Sequence, residues 1–134
     1  MLLFKPRHVE LIIRGIKTQT RRTSKRRPCV PGSYHLAKLK MLSKESFARL
    51  KIIDCKRERL GGISDEDCKK EGGYSPEEFR AVWAEIYGLW DDDEEVWVID
   101  FEVAGIFCKE CGEEMIPNAF ERLCDDCEPW MELP

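Results

Sequence analysis

Long apolar runs are missing from this 134-residue chain. None approaches the roughly 20 residues that a membrane-spanning helix needs. The opening Met1-Leu2-Leu3-Phe4-Lys5-Pro6 lacks the charged start and extended apolar stretch of a secretory signal. The expectation is therefore a chain with no membrane partner that works in the cytoplasm. Histidine is scarce: His8 and His35 are the only two, and neither has a sequence neighbour that would make it a ligand or a base. Internal repeats are absent, and the one biased tract is the acidic run Asp91-Asp92-Asp93-Glu94-Glu95. With 43% apolar side chains, disorder along the whole length is excluded. The length suits one domain, or one domain with a short stapled appendage.

Cysteine, by contrast, is plentiful. Seven thiols in a chain without a secretory start read as reduced side chains or metal ligands, not as a disulfide framework. Four of them fall in two pairs, Cys108-x2-Cys111 and Cys124-x2-Cys127. Each pair brings two thiolates to one ion from a tight turn, and two such turns complete a tetrahedral sulfur site. Gly112 follows the first pair where the backbone turns back. The expectation is one structural zinc per chain, since four thiolates leave no open position for catalysis; a single iron is the alternative. Cys29, Cys55 and Cys68 read as ordinary buried thiols.

Charge is divided along the chain. Residues 1–60 carry 17 Lys or Arg against four acids, and residues 61–134 carry five bases against 22 acids. A positive face on an acidic protein points to a polyanionic partner. Within the basic half, residues 14–27 hold seven positive charges and no acid. Arg14, Lys17, Thr18, Arg21, Arg22, Lys25, Arg26 and Arg27 are the candidate nucleic-acid contacts there, hydroxyls and amides being interleaved with cations as a sugar-phosphate backbone requires. Tyr74, after the pair Gly72-Gly73, is a candidate pocket wall. The tail, residues 108–134, has eight acids and two bases, which makes it a poor nucleic-acid clamp and a candidate surface for a protein partner.

The apolar spacing of Val9, Ile12 and Ile13 predicts a helix over 8–14 with Gly15 at its C-terminal end. Pro28, Pro31 and Gly32 mark a turn, followed by strands over Ser33–Met41 and Phe47–Arg59. Ser64 caps a short helix reaching about Glu71. Ser75-Pro76-Glu77-Glu78 is a capping box that starts a second helix, ending near Gly88. Val96–Val103 reads as a core strand. Short strands alternating with helices suggest a small α+β barrel.

Gly15-x-Lys17-Thr18-x-Thr20-x-Arg22, the Pro31-Gly32 turn into a strand, Glu71 near the end of a short helix, and a capped helix before Trp97-Val98-Ile99-Asp100-Phe101 together resemble the ASCH domain over residues 1–104. Gly-Ile-Lys-Thr-Gln-Thr-Arg-Arg and Lys70-Glu71-Gly72-Gly73-Tyr74-Ser75 look most like archaeal members. The resemblance implies a PUA-like β-barrel with flanking helices that binds RNA or a modified nucleoside beside the Gly-x-Lys segment. It does not extend to residues 105–134, which read as a zinc-ribbon-like appendage. Some small bacterial members are amidohydrolases that deacetylate N4-acetylcytidine with a lysine, a threonine and a glutamate; by motif these fall on Lys17, Thr20 and Glu71. The leading expectation is a binder of RNA or of a modified base. The alternatives are an amidohydrolase using those three residues and an adaptor acting through the acidic tail. A buried Lys17 with Glu71 within reach of Thr20 would favour the enzyme, and a shallow open basic groove the binder.

Overall fold

A computed structural model of the chain describes residues 1–108 and 112–116. The element order is β1 (Leu2–Leu3), α1 (Pro6–Ile13), β2 (Gln19–Arg22), β3 (Tyr34–Lys38), β4 (Ala48–Arg59), a 3-10 turn at Leu60–Gly62, α2 (Asp65–Gly72), α3 (Pro76–Tyr87), β5 (Glu95–Phe107) and β6 (Glu114–Met115). The strands form one six-stranded sheet in the order β1-β3-β4-β5-β2, with β6 added to β5. The fold is thus a small α+β domain, as the alternating elements suggested. No helix among the described residues is long and apolar enough to cross a membrane.

Local sequence accounts for the helices. Pro6 occupies the first turn of α1, where its missing N–H costs nothing. The Ser64 side chain accepts from the Asp67 N–H at the start of α2, and Ser75 and Glu78 form the complete capping box of α3. Gly73, at φ 77°, ends α2 in the left-handed region that disfavours a side chain.

The strands are less legible. β4 and β5 are antiparallel over most of their length, with register shifts at Arg49/Leu50 and Ile52/Asp54. The second shift is a bulge that leaves Ile53 unpaired and half exposed (50%), although its sequence context reads as core. This bulge explains the imperfect alternation of the segment. β2 falls within the basic run, and β5 runs on to Phe107, past residue 104.

Two apolar clusters hold the layers together. One joins β1, α1 and the sheet through Phe4, Ile12, Leu50, Ile52, Ile99 and Phe101. The other packs Cys68, Phe79 and Trp83 of the two later helices on Leu60, Val96 and Val98. Strand pairing and helix packing also interleave the basic and acidic halves. Arg57 meets Glu95 at 3.2 Å, Arg59 pairs with Asp93, Arg49 meets Glu114 at 2.6 Å, and Arg7 meets Glu85 at 2.8 Å.

Candidate functional site

The turn after α1 sets the first site residue. Gly15, at φ 76°, lets the chain reverse, and the Ile16 and Lys17 amides both donate to the Leu11 carbonyl. Lys17 therefore lies ahead of β2 rather than in it, which frees its side chain from the strand's alternation. That resolves a geometric conflict, because residues 17 and 20 of a regular strand face opposite ways. The Thr18 N–H donates to the Lys70 carbonyl at 2.8 Å and stitches this turn to the end of α2.

Helix α2 turns Cys68 and Glu71, three residues apart, into the protein. The Glu71 carboxylate sits between two cations: Lys17 Nζ donates to Oε2 at 3.0 Å, and Arg21 Nη1 donates to Oε1 at 2.8 Å. Lys17 also donates to the backbone carbonyls of Glu71 (2.8 Å) and Gln19 (3.0 Å). An ammonium is well placed there, since carbonyls at a helix C-terminus lack intrahelical partners and carry negative partial charge. Lys17 and Glu71 are each only 3% exposed. Burial pushes the Lys17 pKa down, and the Glu71 carboxylate opposes that shift.

Arg21 is also turned inward, donating to Gln19 Oε1 and approaching Asp67 at 3.4 Å and Glu58 at 3.6 Å. Its charge is spent inside the fold.

Lys17, Thr20, Arg21, Arg22, Glu71 and Tyr74 line one cavity of about 270 Å³, just below the usual range for ligand pockets (roughly 300–1,000 Å³). Of the other candidate contacts, Arg14 pairs with Glu10 on α1, and Arg27 donates to the Cys55 carbonyl. Lys25 and Arg26 follow β2 on the surface, where the Trp97 indole holds the Ser24 carbonyl at 2.9 Å.

The Thr20 hydroxyl makes no hydrogen bond among the described residues, although Thr20 is only 5% exposed. Gly72 matters for the wall: a Cβ there would come within 2.7 Å of the Tyr74 ring.

The cavity's remaining lining was not apparent from the sequence. Phe79, Trp83 and Tyr87 of α3 and Phe4 from the first strand's end supply its aromatic surface. His8, which has no partner in sequence, has one in space: its Nε2 lies 3.0 Å from the Tyr74 hydroxyl, 66 positions away. Burial first, and then the charges of Lys17, Arg7 and Arg22, push His8 down to about 4 from its ordinary 6.5. The native state thus refuses a proton that the unfolded chain takes up. Stability is fully present above pH 6.5 and falls as pH drops from there toward 4. Denaturant midpoints measured across that window should decline more steeply for the parent chain than for His8→Leu.

Of the proposed zinc ligands, Cys111, Cys124 and Cys127 lie outside the described residues. Cys108 is buried at the end of β5, its N–H donating to the Glu113 carbonyl at 2.8 Å. The Gly112 N–H, at a residue with φ 79°, donates to the Cys108 carbonyl at 2.9 Å.

No protein-family model matches the sequence, and no curated protein matches it. Solved structures do match the fold. Protein EF3133 from Enterococcus faecalis V583 is similar with a TM-score of 0.55 at 18% identity, over 84% of this chain and 88% of that one. The ASCH domain from Lactobacillus crispatus gives 0.51 at 18% identity, over 71% and 69% of the two chains. ASCH from Zymomonas mobilis gives 0.52 at 13% identity, over 76% and 67%. The fold is that of an ASCH domain.

Proposed function

We propose that this chain binds a modified nucleobase in the cavity between β2, α2 and α3, and that Lys17, Thr20 and Glu71 hydrolyse an amide on the base's exocyclic nitrogen. The observation that carries the proposal is the buried Lys17–Glu71 pair beside an unpartnered Thr20 hydroxyl in one small aromatic-walled cavity. A phosphate-tracking groove would need its cations exposed, and Lys17 and Arg21 are inside.

The proposed chemistry starts from the Lys17–Glu71 contact and needs the Thr20 hydroxyl to come within reach of Lys17 when substrate is bound. Proton transfer from Lys17 Nζ to Glu71 Oε2 across their 3.0 Å hydrogen bond yields a neutral amine and a carboxylic acid. Burial lowers the Lys17 pKa, the direction that exchange requires, and the Glu71 charge opposes it. The amine takes the Thr20 proton as Oγ attacks the acyl carbon. Glu71 then protonates the departing nitrogen, and Lys17 is left as the ammonium it was at the start. Water hydrolyses the acyl ester on Thr20, which restores the hydroxyl.

The exposed Lys25 and Arg26 beyond β2 suit the backbone of a single-stranded RNA carrying such a base, so the base is read either free or in RNA. The same proposal keeps Cys108, Cys111, Cys124 and Cys127 as ligands of one structural zinc, supported by their paired spacing.

The test is turnover of a panel of modified nucleosides followed by chromatography. N4-acylated cytidines should be converted to cytidine and the free acid. Unmodified nucleosides should quench the tryptophan fluorescence at most weakly. Saturable binding of acylated cytidines without conversion would leave a reader rather than an enzyme, and the absence of both binding and conversion would end the proposal.

A further inference from the structure

Four lysine and arginine side chains line the cavity; Lys5 is exposed to solvent, and two of the other three are already neutralised. Lys17 and Arg21 share the Glu71 carboxylate, and Arg21 has Asp67 and Glu58 besides. Arg22 differs, for it forms no ion pair and no side-chain hydrogen bond among the described residues. Its guanidinium lies over the Phe4 ring, 4.9 Å from the centroid, and its Nε is shielded from solvent without a partner. Burial pushes the Arg22 pKa down, and the Tyr87 hydroxyl and the Glu71 carboxylate, neither of them paired with it, oppose that shift. On the same lining, Trp83 is 3% exposed and its indole N–H is also unpartnered. Buried donors normally find acceptors, and a buried charge normally finds an opposite one. The Glu71 carboxylate on this lining is taken up by Lys17 and Arg21, and no acceptor reaches the partly buried Arg22.

We infer that the ligand of this cavity is anionic, with a phosphate or carboxylate group held by the Arg22 guanidinium. The inference rests on the nucleobase reading and narrows it: the substrate is either a nucleotide, which brings a phosphate, or a base whose acyl arm ends in a carboxylate. Arg22 is then the residue that separates anionic from neutral substrates. A planar guanidinium stacked on an aromatic ring is pre-set for bidentate contact with either group.

The test has two parts. First, inorganic phosphate and succinate, each compared with chloride at equal ionic strength, are added during thermal unfolding of the full chain. At least one should raise the melting temperature of the parent by about 2 °C or more, by binding only the folded state. Neither should shift Arg22→Gln. That variant without any anion should melt no lower than the parent, because it removes an uncompensated cation.

Second, the affinities of N4-acetylcytidine, its 5′-monophosphate and N4-succinylcytidine are compared. One anionic form should bind at least tenfold more tightly than the neutral one, an advantage lost in Arg22→Gln and partly kept in Arg22→Lys. A gain with the monophosphate identifies a nucleotide, and a gain with the succinyl form identifies a charged acyl arm. No shift with either simple anion, or equal affinity for all three nucleosides, overturns the inference. Anion shifts without binding of any nucleoside would keep the anion site and remove the nucleobase reading beneath it.

Discussion

Glu71→Leu should lower folding stability by about 3–5 kcal/mol, the usual result of removing one partner from a buried ion pair. The substitution leaves Lys17 with only two backbone carbonyls, those of Gln19 and Glu71 itself, in a site closed to water. Arg21 suffers less, because Asp67 and Glu58 remain near its Nη2. The deficit should therefore trace mainly to the lysine. Two further results follow. Lys17→Met combined with Glu71→Leu should recover most of the loss, since the pair is replaced by apolar groups of similar size. In Glu71→Leu alone the deficit should shrink as pH rises toward 10.5, the ordinary lysine value. The unfolded chain holds the Lys17 proton up to that pH, whereas the variant's folded state gives it up earlier. Guanidinium titrations at several pH values check all three. A loss below about 1 kcal/mol, the level of an exposed pair, would mean that Glu71 is not the buried counter-ion.

Thr20→Ala should reduce turnover of an acylated cytidine by about a thousandfold or more while changing its affinity little, because the hydroxyl acts as nucleophile only in the chemical step. The variant should fold. Thr20 pairs with Ile99 through the backbone, and its hydroxyl forms no hydrogen bond among the described residues, so truncation orphans no partner. Thr20→Ser restores a hydroxyl and should recover a measurable fraction of the rate. Single-turnover kinetics separate the two effects. Equal losses in binding and rate would make Thr20 a ligand contact rather than the nucleophile.

Much of the fold was legible because it is local. Capping serines at 64 and 75, Pro6 and Gly73 mark helix ends through interactions spanning a few residues. Lys17, Thr20 and Glu71 were singled out by the ordered motif resemblance, and the fold brings all three to one cavity.

What was illegible depends on distant pairing. A run of seven cations reads as a solvated strip, yet Arg21 turns inward because α2, about 50 residues on, presents Glu71 and Asp67 to it. His8 meets Tyr74 only once the fold brings α1 beside the connection between α2 and α3. The charge division along the chain is interleaved by the antiparallel register of β4 and β5, which pairs Arg57 and Arg59 with acids from the other half. The exposure of Ile53 follows from a bulge, which sequence alternation signals only as noise.

The most direct test of the central claim is the structure of Thr20→Ala with an N4-acylated cytidine bound. The base should lie against Tyr74 and Trp83, with its acyl carbon facing position 20 and its exocyclic nitrogen within hydrogen-bond reach of Glu71. A ligand seated instead in the shallow depression beside Arg14, Thr18 and Phe101, or along the exposed loop at Lys25 and Arg26 with the cavity empty, would contradict it.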